Sequence, residues 1–370
     1  MNGNRVTRRT VSTGIFALAL GLAAGVPVAR AQGAKKIVLL VSGNLGDRSF
    51  FDSGVAGFDE IKKQHGEGVE IKVIEMGFDQ TKWLPTLEDV SEQGYDLIYV
   101  ITFQMVDPLA DVAARYPDQK YVLIDGTMDY AGGQFGNVYS VLFKQNEGSY
   151  LAGMLAAGLV RDGAVATDQG AALGFLGGLD IPVINDFLIG YIEGAQSVTP
   201  DVKIAISYAN SFDDSAKGKE LALAQYRSGV AIGFAAAGTA GLGQFAAAKE
   251  VGKLAIGCNS DEEAAIRPTD AEMADKIVSS MLKRVDVSVA RAFELFLSEE
   301  LPFGSAEVLG IVEGAIGLAQ TDNFKKIASE QLKSDIASAE AAIVGGKTTV
   351  SSAFGMDTNA LSALRDSVRP

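Results

Sequence analysis

Residues 35–54, KKIVLLVSGNLGDRSFFDSG, pass from an apolar β-branched run through a glycine-rich polar loop into a helical pattern. The apolar run is short, unbroken and closed by a turn signal, which is how a strand buried on both faces reads. Ser49 and Asp52 have the spacing of a capping box, so a helix is expected to start at Ser49, with Phe50 and Phe51 in its first turn. Phe51, Val55, Phe58 and Ile61 share one helical stripe and read as core. Phe50 stands about 100° round from that stripe. It is expected to face the space beyond the strand tip, where ligands bind in open parallel sheets.

The same strand–loop–helix rhythm continues along the chain. Strand-like runs lie at 69–77, 95–102 and 120–127, and again at 171–178, 202–209, 230–238 and 253–261. Helical patterns at 51–65, 80–93 and 106–116, then at 184–197, 214–227 and 241–252, separate them. This alternation predicts an α/β protein of two similarly built domains, each a parallel sheet flanked by helices. Residues 324–345 read as one amphipathic helix, and residues 346–370 as a loose tail.

The first 31 residues read as a signal peptide: Arg5, Arg8 and Arg9, an apolar stretch from Gly14 to Val28, then Ala29-Arg30-Ala31 as cleavage site. The arginine pair in TRRTVS (residues 7–12) fits twin-arginine export and ordinary secretion alike. Four arginines fall in this leader, so the 32 Lys+Arg and 46 Asp+Glu of the whole chain become 28 against 46, a net charge of −18. Such a surface argues against nucleic acid and against insertion into anionic membranes. The one cysteine, Cys258, is far from the cleavage point, so a periplasmic protein without a lipid-anchored N-terminal cysteine is expected. The one histidine, His65, reads as solvated surface, and a histidine triad or histidine-rich metal site has no residues to build it. No nucleophile motif or phosphate-loop lysine is present, so a binding protein without cofactor or metal is expected rather than an enzyme.

The loops after the strands carry the candidate site. They are rich in Gly, Asp, Asn and Phe, which suits a binding cleft with aromatic walls and carboxylates for hydroxyl groups. In NSFDDSAKG (210–218), Phe212 is either a second ring wall or a hydrophobic staple beside a helix cap from Asp213 or Asp214. GTAGLGQ (238–244) has GxxGxG spacing and points to close backbone approach before a helix, not to a dinucleotide. Asp261 ends a strand and Lys283 follows another apolar run, so the two either converge on a polyol or form a surface ion pair.

In this order GDRSFFDSGVAGF, PDQKYVLIDG, FKQNEGSYLAGMLAA, FLGGLDIPVINDFLIGYIEGA, AAGTAGLGQFAAAKE and SSMLKRVD resemble the basic membrane protein (BMP) family, solute-binding proteins of ABC importers related to purine-nucleoside receptor lipoproteins. The resemblance implies a type I periplasmic-binding fold with three crossovers and a ligand between two lobes. Lobe 1 would comprise residues 36–143 plus about 279–304, and lobe 2 residues 144–278 plus about 305–345. It puts Phe50 and Phe212 on the faces of a base, Asp125 on its edge, and Gly238, Asp261 and Lys283 around a ribose. Ser42 and Asp47 complete the expected ligand-binding set. Two positions depart from the nucleoside receptors: an expected aspartate is replaced by Val41-Ser42, and their Ser-Phe-Asn reads Ser49-Phe50-Phe51. The function so implied is capture of a nucleoside-like small molecule by a monomer and its delivery to an inner-membrane ABC permease. Another ring-bearing or polyol solute (a free base, a flavin-like compound or a sugar) and a ligand-sensing subunit are the alternatives.

Overall fold

A computed structural model describes residues 33–165 and 173–370; the expected signal segment, 1–31, lies outside them. Residues 34–370 form one compact unit built around two six-stranded sheets. The first half runs β1 (Lys35–Val41), α1 (Phe50–His65), β2 (Val69–Glu75), α2 (Trp83–Ser91), β3 (Leu97–Ile101), α3 (Val106–Arg115), β4 (Tyr121–Ile124) and β5 (Val138–Phe143). The second runs α4 (Gln145–Arg161), β6 (Leu173–Gly177), α5 (Pro182–Val198), β7 (Ile204–Tyr208), α6 (Ser215–Arg227), β8 (Ile232–Ala236), α7 (Thr239–Val251) and β9 (Leu254–Asn259). Two short helices, α8 (Glu262–Ile266) and α9 (Ala271–Ala274), lead to β10 (Ile277–Lys283), and α10 (Val285–Leu297), β11 (Ser305–Leu309) and β12 (Ile316–Leu318) follow. Helices α11 (Asp322–Ile327), α12 (Glu330–Val344) and α13 (Thr358–Ser367) end the chain.

The strand orders are β11-β5-β4-β3-β1-β2 and β12-β10-β9-β8-β6-β7, so the halves repeat one topology. Every pairing is parallel except β10 with β12. Strands β3, β4, β6 and β8 are buried along their whole length, as expected of sheets covered on both faces. The chain passes between the sheets three times, after β5, after β10 and after β11. The last two passages fall at Lys283–Val285 and between Leu309 and Ile316, not near 279 and 304 as expected. The reason is that β10 and β11 each complete a parallel ladder before the chain leaves.

Three further expectations are corrected. The helix predicted over 324–345 is broken at Ala328, because the Ser329 side chain accepts the Leu332 N–H (3.1 Å) and starts a new helix. The tail 346–370 is not loose. Asn146 donates to the Val350 and Ser351 carbonyls, Asp186 accepts from Ser352 and Ala353, and the Val368 carbonyl accepts the Ile204 N–H at 2.8 Å. His65 is half-buried, its ring against Phe293 and its Nε2 2.6 Å from Glu294, so it ties α1 to α10.

Candidate functional site

The carboxyl ends of both sheets line one cavity. The loop after β1 shapes its first wall. Asp47 Oδ1 accepts the N–H groups of Ser49 and Asp52, and Oδ2 accepts that of Phe51, all within 3.1 Å. Asp47 is therefore the cap of α1, and Ser49 is not, although the helix starts where expected. The Ser49 hydroxyl instead donates to the Cys258 carbonyl (2.9 Å) and accepts from Asn259 Nδ2 (2.8 Å), so it joins the first sheet to the second. Burial pushes the Asp47 carboxyl up despite its three N–H partners.

Phe50 and Phe51 both line the cavity, edge-to-face at 5.5 Å between centroids. Phe51 is the more buried, as its stripe implied, and Phe50 is half-exposed. Gly43 is required here: a Cβ would collide with the Phe51 ring. Phe212 lines the same cavity from the loop after β7, seated against Gly178, where a Cβ would collide with its ring. Gly238, also a lining residue, turns at φ +56° before α7. Asp214, beside Phe212, caps α6 through the Lys217 N–H at 2.8 Å.

Lys283 ends β10 and is 1% exposed. Its ammonium donates to Asp125 Oδ1 at 2.6 Å and stands 5.0, 5.4 and 5.5 Å from the ring centroids of Phe143, Phe187 and Phe50. A cation so desolvated is compensated by the carboxylate and by the ring faces. Asp125 is on the first sheet and Lys283 on the second, so the pair also holds the two together. Thr102, Asp125 and Asn259 all have positive φ (+102°, +66° and +68°), and all three line the cavity at strand ends. Such geometry costs about 1–3 kcal/mol each and concentrates at functional sites.

Two expected residues stand elsewhere. Ser42 is fully buried and donates to the Ile101 carbonyl (2.6 Å), tying β1 to β3 behind the cavity wall. Asp261 caps α8 through the Ala264 N–H (3.0 Å) and faces a separate groove with Arg48 and Arg284. Residues not singled out from the sequence supply much of the lining: Phe78, Phe103, Gln104, Val183, Ile184 and Phe187. Their signal was present, since Phe103 and Gln104 follow β3 directly and the last three share one face of the first turns of α5.

Burial, and next the neighbouring Glu262, push the Cys258 thiol well up, so it is a small apolar lining group and not a nucleophile. No cluster of three or more metal-ligating side chains occurs among the described residues. No helix among them is long and apolar enough to cross a membrane.

Two parallel sheets, three passages between them and a cavity at the strand ends define a solute-binding protein of the type I periplasmic class. A solute-binding protein of an ABC transporter system from Aeropyrum pernix superposes with a TM-score of 0.76 at 26% identity, over 90% of this chain and 98% of that one. The chain belongs to the Bmp family of PnrA-like ABC-transporter substrate-binding proteins, whose model matches residues 34–349. It is 31% identical to a CD4+ T-cell-stimulating antigen of Listeria monocytogenes, over 77% of this chain and 80% of that one. It is 30% identical to the ABC transporter nucleoside-binding protein BmpA of Lactococcus lactis subsp. cremoris, over 86% and 89%. Membership makes it the substrate-binding component of an ABC transporter, with a small-molecule ligand and a permease as partners.

Proposed function

We propose that the cavity captures a nucleoside-like solute for import, the planar ring between Phe50 and Phe212 and the sugar toward Lys283 and Asp125. The protein acts in the periplasm and hands its ligand on unchanged. The observation that carries this reading is the pairing of two half-buried phenylalanines, one from each sheet, with a single buried ion pair in a cavity whose other polar side chains are mostly bonded to the protein itself. Ring stacking contributes roughly 0.5–1.5 kcal/mol per aromatic pair beyond the area buried. The Lactococcus relative's name supports the same ligand class. Asp47 serves the cavity indirectly by fixing the turn that presents Phe50. The abundance of phenylalanine favours a ring-bearing ligand over a simple sugar, which would need more free polar groups; a free base or flavin-like ring is the second reading.

A thermal-shift panel of nucleosides, bases, flavins and sugars tests the assignment. A ligand at 100 times its dissociation constant adds about 2.7 kcal/mol. For a chain of this length that is a rise of about 4 °C. The account expects this from nucleosides and not from sugars; a panel in which only sugars raise the melting point overturns it.

A further inference from the structure

The polar side chains of the cavity differ in what they still have to offer. Asp47 has given both oxygens to α1, and Asp125 has given Oδ1 to Lys283. Thr102 Oγ1 lies 3.1 Å from the Ser42 hydroxyl and accepts the Gln104 N–H, and Asn259 donates its amide to Ser49. No carboxylate of the cavity presents two free oxygens. Among the described residues, the side chains of Gln104 and Thr239 line the cavity without a hydrogen-bond partner. Only Gln104 sets a donor and an acceptor side by side in one plane. It is half-buried in the loop after β3, and β3 runs between β1 and β4. Its loop therefore lies between the turn that carries Phe50 and the strand end that carries Asp125.

We propose that Gln104 is the specificity-determining residue of this cavity, selecting rings whose edge sets one donor beside one acceptor, a lactam or an amidine, over rings with a second adjacent donor. The proposal rests on the nucleoside reading and names which nucleosides it covers. A carboxamide pairs with the N–H and C=O of hypoxanthine, or with the ring nitrogen and amine of adenine, through two parallel hydrogen bonds. Guanine presents the same lactam and, beside it, an amine for which the carboxamide has no second acceptor. Enclosing that amine without a partner carries the penalty of an unmade hydrogen bond. A site built this way discriminates by what it leaves unpaired.

Titration calorimetry of inosine, adenosine and guanosine into the wild-type chain, Gln104→Leu and Gln104→Glu tests this, with melting curves to confirm that each variant is folded. The wild type should bind inosine about 10-fold more tightly than guanosine. Gln104→Leu should weaken inosine and adenosine by about 10-fold and close the gap. Gln104→Glu, whose two oxygens can accept both guanine donors, should move the preference toward guanosine by at least about 10-fold. If nucleosides bind and both variants keep the wild-type order of affinities, Gln104 does not read the ring and the nucleoside assignment stands. If no nucleoside binds the wild type, the nucleoside assignment fails and this proposal with it.

Discussion

Lys283 is an ammonium almost sealed from solvent, with one carboxylate oxygen at 2.6 Å and three phenylalanine rings around it. Removing either partner leaves the other charge buried alone, at a cost of about 3–5 kcal/mol. Lys283→Met and Asp125→Asn should each lower the urea midpoint by that equivalent, and the double variant should lose less than the two single losses together. A strictly additive double variant would mean that the pair is not coupled in solution. Glu262 behaves differently. Burial holds its carboxyl well above the usual value of 4.5, while the Cys258 N–H at 2.6 Å pulls the other way. The folded state then keeps a proton that the unfolded chain releases, so stability falls as pH rises above that value. Glu262→Gln retains the acceptor and should reduce the loss of stability as pH rises above 4.5; an unchanged slope in urea titrations would contradict it. Burial also raises Asp47 and Asp186, with the same sign, so some slope should remain. At this scale the sequence was partly legible. The helical stripe marked Phe51 as the more buried of the two rings, although both line the cavity, and Asp47 rather than Ser49 caps α1 because the path of a loop decides which side chain meets the free N–H groups.

Among the elements, the C-terminal one was misread most. Helix α13 sends Arg365 to Asp180, Asn185 and Tyr208, at 2.6 to 3.1 Å. Asp180 and Asn185 flank the start of α5, from which Val183, Ile184 and Phe187 enter the cavity. The tail is thus a strap behind one cavity wall. Deleting residues 346–370 would strip partners from Asp186, Asn146 and the Ile204 N–H, each an unmade bond worth about 1–3 kcal/mol. The shortened chain should melt well below the full one; an unchanged melting point would show that the strap adds nothing. The tail looked loose because α13 buries none of its residues fully, and what binds the tail are scattered polar contacts: its carbonyls, the Ser352 hydroxyl and Ala353 N–H to Asp186, and a single arginine. Strands β5, β11 and β12 were also passed over. Two of them are short edge pieces, and their pairing lies far along the chain. Strands β1 to β4 and β6 to β9 were legible because each is a short apolar run, or in β2 an alternation of Val and Ile with charged residues, closed by a loop.

At the scale of the whole molecule, the two sheets meet through few direct bonds near the cavity: Ser49 with Cys258 and Asn259, Arg48 with Ser260, and Asp125 with Lys283. Proteins of two such halves close on a ligand by bending at the connecting segments. Here those segments are the three passages after β5, β10 and β11. Small-angle scattering should therefore show a smaller radius of gyration with ligand than without, and a radius that does not change would argue against hinge closure. The central claim is that Phe50 and Phe212 hold a ring inside this cavity. Titration calorimetry of inosine and of ribose, with the wild type and with Phe50→Ala, tests it most directly. The account predicts one inosine per chain, no measurable binding of ribose, and an affinity for inosine about 10-fold weaker once the ring of Phe50 is gone. Saturable binding of ribose without inosine, or inosine binding that Phe50→Ala leaves untouched, would contradict it.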